Sequence, residues 1–102
     1  MARFQVYRNP RASRADIPFL LDVQSDLVET SSRVVIPLVR KDRYGKPYTR
    51  LNPEFTVLDV AVVASTADLA ALASGELRGP VAELSEHHAD IMSAIDFLLT
   101  GY

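Results

Sequence analysis

The chain carries two histidines, and they are adjacent: His87 and His88. Neighbouring residues on a helix point about 100° apart, so this pair cannot chelate one metal as an i, i+4 pair can. His88 falls in an apolar stripe and is expected to be an interior, hydrogen-bonded side chain, with His87 its solvated neighbour. Asp22 and Asp26 are the best-spaced carboxylates. On a strand such a pair shares a face about 13 Å apart, too far for two-carboxylate acid–base work without a bend. Their expected roles are turn capping and strand-end polarity. There is no cysteine, which removes thiol nucleophiles and disulfides. The glycine fingerprint of dinucleotide sites, the phosphate-binding P-loop and the nucleophile elbow are all missing; Gly45-Lys46 runs into Pro47 and lacks an upstream glycine. What remains is a basic cluster: Arg8, Arg11 and Arg14, with Asn9, Pro10, Ala12 and Ser13 between them. It reads either as a solvated loop or as a docking site for an acidic partner or phosphates. On residue chemistry alone the chain is a binder rather than an obvious enzyme, and no cofactor or metal is expected.

The chain has 102 residues, 48% hydrophobic and 24% charged. That suits one globular domain with one core, spanning residues 1–102. No apolar run reaches membrane-spanning length, since Asp59 and Asp68 interrupt the richest stretch. Residues 1–5 lead straight into an alternating strand pattern, so no signal peptide is expected. A formal charge of −2 lacks the basic footprint of a nucleic-acid binder, and a cytoplasmic location fits.

The elements that must position these groups follow from periodicity. Residues 3–8 alternate as a strand. Pro10 breaks it and opens the basic loop, residues 9–16. A second strand runs over 18–24, with a turn at Ser25-Asp26 and the short apolar pair Leu27-Val28 beyond it. A third covers 33–39. Pro37 within it cannot donate to a ladder, which places that strand at an edge or a bulge. Residues 44–48 read as a hairpin tip around Gly45, 49–51 as its return, Asn52-Pro53 as a turn, and 55–63 as one long strand. Residues 64–73 are ambiguous: alanine content favours helix, and a continuing strand is the rival. Val81, Leu84, His88, Ile91, Ile95 and Leu98 then recur at helical spacing. The spacing predicts a helix from Gly79-Pro80 to a stop at Gly101. Strands first and one long helix last give an α+β arrangement, an antiparallel sheet covered by that helix.

This pattern resembles the CcdB family of plasmid-addiction toxins. The residues that carry the likeness are Phe4-Gln5-Val6-Tyr7, then 22–26 (DVQSD) and 33–38 (RVVIPL). They continue with 81–85 (VAELS) and with Asp90-Ile91 through Ile95 to Gly101. The resemblance implies an SH3-like barrel of antiparallel strands with a small hairpin wing and a C-terminal α-helix. On that fold residues 64–73 are largely extended and 44–48 form the wing tip. It implies a homodimer that poisons DNA gyrase, binding the A subunit and trapping the cleaved-DNA complex, and that a cognate CcdA-like antitoxin neutralises. Neither direct nucleic-acid contact nor a membrane is implied. By position, the gyrase-binding residues would be Leu27, Val28, Asp96, Leu99, Thr100, Gly101 and Tyr102. The antitoxin-binding residues would be Arg8, Asn9, Pro10, Arg11, Ala12, Ser13 and Arg14, where arginine forks suit an acidic tail. The best-known members have tryptophan before the terminal glycine and isoleucine after it; here Thr100 and Tyr102 stand in those places.

Two alternatives share the fold. One is a MazF- or Kid-like endoribonuclease using Arg11, Arg14 and Asp16. The other is a family member without toxicity that only binds antitoxin, motivated by Thr100.

Overall fold

The structure is a computed structural model that describes residues 2–101. Seven strands form one antiparallel sheet: β1 Gln5–Arg8, β2 Phe19–Asp22, β3 Ser32–Arg40, β4 Glu54–Val57, β5 Val60–Ala64, β6 Ala70–Ala73 and β7 Ala82–Glu83. Their order is β4-β5-β3-β2-β1-β7, with β6 also pairing β3. The sheet curls until it is nearly closed, and among the described residues one α-helix follows it, α1 His88–Thr100. The result is an α+β SH3-like barrel.

Strand alternation divides the apolar residues between two faces. Val6, Phe19, Leu21, Ile36, Leu38, Phe55, Val57 and Val62 meet in the main core, closed by Leu84 and Ile91. The opposite face buries Tyr7, Leu20, Val35, Leu72 and Leu77 in a smaller cluster, with Ile17 against it. The two sets interleave along β1, β2 and β3, which is why residues 33–39 read as almost continuously apolar.

β3 is central and not at an edge. It pairs β2 on one side; on the other it pairs β5 through Leu38–Arg40 and β6 through Ser32–Val35. Pro37 sits between those two stretches. Its carbonyl accepts from the Ser65 N–H at 2.9 Å, so its missing N–H faces the gap where β5 hands over to β6. No ladder bond is lost there.

Residues 55–63 are two strands and not one. Phe55↔Val62 and Val57↔Val60 are paired across a two-residue turn at Leu58 and Asp59. Both turn residues have positive φ, 48° and 65°, as a type I′ turn requires. The hairpin tip is thus Leu58-Asp59, and residues 44–48, expected to form one, do not. Residues 41–51 instead make a short 3₁₀ turn at Lys41–Arg43 and further irregular turns. They are fastened by Asn52, whose Oδ1 accepts from the Tyr48 N–H (2.9 Å) and whose Nδ2 donates to the Ala64 carbonyl (3.0 Å). The left-handed conformation costs a non-glycine residue about 1–2 kcal/mol. Leu58→Asn with Asp59→Gly is therefore expected to raise stability by about 1–2 kcal/mol, measured by urea unfolding.

Residues 64–73 are mostly extended, as the family resemblance implied and alanine propensity did not. One 3₁₀ turn, Thr66–Asp68, separates β5 from β6. The C-terminal helix is shorter than its apolar spacing suggested. Gly79 has φ +59°, and β7 pairs with β1 through Gln5↔Glu83 and Val6↔Ala82. The helix begins at His88, is about 20 Å long, and buries Ile91 and Ala94, with Met92 and Ile95 packed at the margin of the core. Gly101 ends it in the left-handed conformation at φ +78°, its N–H donating to the Phe97 carbonyl at 2.9 Å.

Candidate interaction surfaces

The segment 22–26 leaves the sheet at the end of β2 and builds a loop. Asp22 is fully buried and shares the face of Leu20 and Tyr7. Diagonally across β3 stands Arg33, 5% exposed. Arg33 Nε donates to Asp22 Oδ2 at 2.8 Å and Nη2 to Oδ1 at 3.0 Å, a fork-on-fork ion pair. That hydrogen bond holds the guanidinium pKa above its ordinary value against the opposing effect of burial. Arg33 Nη2 also lies 3.8 Å from Asp26 Oδ1 and donates to the Gln24 carbonyl at 3.3 Å. Asp22 and Asp26 therefore serve one arginine; Asp22, the last residue of β2, also caps the turn as expected, its Oδ1 accepting the Gln24 N–H at 3.0 Å, and Asp26 accepts the Arg3 N–H at 2.8 Å.

Tyr7 lies beside this pair, 2% exposed, its hydroxyl donating to Gln5 Oε1 at 2.8 Å. Burial raises its pKa; Asp22 adds to the rise and Arg33 opposes it. Because the folded value is the higher one, the native state holds its proton longer than the unfolded chain. The stability tied to that proton is intact below the unfolded pKa and drains away as pH rises through the folded one. Tyr7→Phe should accordingly flatten the loss of stability seen above about pH 10, measured by denaturant unfolding across the alkaline range.

Past Asp26 the loop exposes apolar side chains. Leu27 is 95% exposed and Val28 50%. At the far end of α1, Leu99 is 72% exposed, and Asp96, Thr100 and Gly101 are exposed as well. Thr100 Oγ1 donates to the Asp96 carbonyl at 2.6 Å. Arg3 links loop and helix: its N–H reaches Asp26, its guanidinium donates to Met92 Sδ, and it covers the Phe4 ring at 4.9 Å. Of the residues matched to gyrase binding, Leu27, Val28, Asp96, Leu99, Thr100 and Gly101 are all solvent-facing, and Tyr102 lies outside the described residues.

The basic cluster occupies the end of β1 and a 3₁₀ turn, Ala12–Ala15. Arg8, Pro10, Arg11, Ala12, Ser13 and Arg14 are exposed. Asn9 is buried and shapes the loop: its Nδ2 donates to Ser13 Oγ (3.0 Å) and the Ile17 carbonyl (2.9 Å), and its Oδ1 accepts from the Arg11 N–H (3.0 Å). Arg11 forks onto Glu76 at 3.2–3.3 Å, and Arg14 Nη1 donates to the Arg11 carbonyl at 3.1 Å. Asp16 lies 3.8 Å from Arg43. Of the trio a ribonuclease would use, the Arg11 and Asp16 side chains are thus each paired with a residue of opposite charge, and Arg14 folds back onto the Arg11 carbonyl.

The histidines differ from expectation. His88 is exposed at the start of α1, stacked at a tilt on Phe4 with ring centres 5.2 Å apart, and is no interior residue. The less exposed of the two is His87, 5.0 Å from the Phe55 ring and 3.5 Å from Glu86. His88 is the first residue of α1, and the helix's buried face begins one turn later at Ile91. Sequence reasoning also passed over Arg33 and Glu76. A signal existed for the first: opposite charges on β2 and β3, each at a position whose strand neighbours two residues away are apolar.

The fold is a near-closed SH3-like barrel that displays side chains from one loop and from the end of one helix. The profile of the CcdB protein family matches residues 3–101, and the chain belongs to that family. Membership supports the role of toxin in a toxin–antitoxin pair. Among the described residues no helix is long and apolar enough to cross a membrane, and no cluster of His, Asp and Glu could hold a metal ion.

Proposed function

We propose that this protein poisons DNA gyrase. It binds the A subunit while DNA is cleaved, holds that conformer, and so shifts the population toward it. The protein acts by binding, makes and breaks no bond itself, and works as a cytoplasmic homodimer. The contact residues are Leu27 and Val28 on the loop and Asp96, Leu99, Thr100 and Gly101 at the helix end, together with Tyr102, which follows them in sequence.

The observation that carries this reading is the exposure of Leu27 and Leu99. Both are large apolar side chains that folding leaves in water, in a chain that buries most of its others. An aliphatic side chain gains about 1.5–3 kcal/mol when it is fully buried, so these two are the natural anchors for a partner. The exposed arginines Arg8, Arg11 and Arg14, with Pro10, Ala12 and Ser13, form the antitoxin surface, on a loop whose shape Asn9 sets. A disordered acidic tail would meet three guanidinium groups there.

Expression in gyrase-competent bacteria tests the reading. Growth arrest relieved by a co-expressed cognate antitoxin is expected. Normal growth with soluble, folded protein in the cells would reject it and favour the member without toxicity.

A further inference from the structure

The segment 22–26 does more than end a strand, and Gln24 is its centre. The Gln24 N–H donates to Asp22 Oδ1 at 3.0 Å, and its carbonyl accepts from Arg33 Nη2 at 3.3 Å. Its backbone is therefore gripped on both sides by the buried ion pair. The side chain then reaches in two directions. Gln24 Oε1 accepts the Val34 N–H on β3 at 3.0 Å. Gln24 Nε2 donates to the Val28 carbonyl at 2.7 Å and to Thr30 Oγ1 at 3.4 Å. One amide thus spans from a central strand to the exposed apolar pair. Ser25 closes the turn: its Oγ accepts the Leu27 N–H at 3.2 Å and its carbonyl the Val28 N–H at 3.0 Å. Val23 anchors the base in the core, its N–H bonded to the Val34 carbonyl at 3.0 Å.

We infer that Gln24 is a positioning residue, which, backed by Asp22 and Arg33, holds Leu27 and Val28 in the conformation their partner binds. The inference rests on the gyrase reading for the identity of that partner. The other ties on the loop are polar as well: Ser25 accepts from the Leu27 and Val28 N–H groups, Asp26 accepts the Arg3 N–H, and Thr30 Oγ1 donates to the Ser32 carbonyl. Residues 26–31 are exposed, and Leu27, 95% exposed, gains almost nothing from its own burial. A free loop of this length would lose its conformational freedom on binding and weaken the complex. Holding it in advance moves that loss into folding. Gln24 serves this purpose because its amide both accepts and donates: acceptance ties it to β3 and donation ties the loop to it.

The test compares the parent with Gln24→Met, which keeps length and bulk and removes all three side-chain hydrogen bonds, and with Gln24→Glu, which keeps the acceptor for Val34 and loses the donor to Val28 and Thr30. Amide hydrogen exchange reads the loop directly, and calorimetry with purified gyrase A subunit reads binding. With Gln24→Met, exchange at Val28 should quicken about tenfold, as should that of Val34, whose N–H loses its acceptor, while the amides of β2 and the remaining amides of β3 keep their protection, and gyrase affinity should fall about tenfold. Gln24→Glu should loosen the loop as well, and it stands in should the methionine variant fail to fold. Unchanged exchange at Val28 in a folded variant overturns the positioning role, as does a loosened loop with undiminished affinity. A parent protein that does not bind gyrase rejects the partner instead, and the exchange data then decide the role of Gln24 by themselves.

Discussion

Arg33→Ala should cost about 3–5 kcal/mol of unfolding free energy, because it strands the Asp22 carboxylate in a site without water. Asp22 is 0% exposed and takes two hydrogen bonds from that guanidinium. A loss of that size is a large share of what holds a domain of this length together. Asp22→Leu combined with Arg33→Met should recover most of it, since apolar residues of similar volume often replace a buried pair at no net cost. Urea unfolding of the two variants measures the difference. A loss below about 1 kcal/mol for Arg33→Ala would mean the pair behaves as an exposed one. Even a stable double variant should have a looser loop, because Gln24 would lose the groups that grip its backbone.

Leu99→Asp is expected to leave stability within about 0.5 kcal/mol, as a surface change does, and to abolish growth arrest. Leu99 projects from the helix, 72% exposed, and its burial against a partner can only be a gain of the complex. A central apolar anchor is worth about 2–4 kcal/mol in an interface. Placing a carboxylate there adds desolvation to that loss, so affinity for the gyrase A subunit should fall by at least about a hundredfold. Leu27→Asp should act alike from the loop side. Antitoxin binding through Arg8, Arg11 and Arg14 should be retained in both. Calorimetry with each partner in turn separates the two effects; a Leu99→Asp protein that still arrests growth would remove the helix end from the contact.

The sheet and its apolar faces were legible because strand alternation is local. So was the stop at Gly101, where a glycine takes the left-handed conformation that ends the helix. The start of that helix was not. Val81 and Leu84 keep helical spacing with Ile91, yet the chain there is spent on β7, which bonds to β1, more than seventy residues upstream. No local pattern reports a partner at that distance. The hairpin at Leu58-Asp59 was invisible for a different reason: its type I′ turn lacks the glycine or asparagine that announces one. Pro37 suggested an edge because the rule concerns its missing N–H, and only the tertiary arrangement shows that this N–H would face a gap. Residues 64–73 show sheet pairing overriding alanine propensity: Leu72 pairs Arg33 on β3 and is buried.

The surfaces were readable to a lesser degree. Leu27 and Val28 stood out as an apolar pair in a polar stretch, and the arginine cluster stood out by charge. What holds each in place did not. Asp22 finds Arg33 eleven residues on, and Arg11 finds Glu76 sixty-five residues on; these contacts exist only once the strands are in register. The family likeness supplied the loop's importance, and the geometry of Gln24 supplies a physical reason for it.

The proposed activity of this chain is to stop gyrase by holding it on cut DNA. The most direct measurement incubates purified protein with gyrase, supercoiled plasmid and ATP, and then traps covalent complexes with detergent and protease. The expected result is linear DNA that accumulates with protein concentration, is absent with Leu99→Asp, and is suppressed by antitoxin. Plasmid that stays supercoiled and uncut, at concentrations where the folded protein exceeds gyrase, would contradict it.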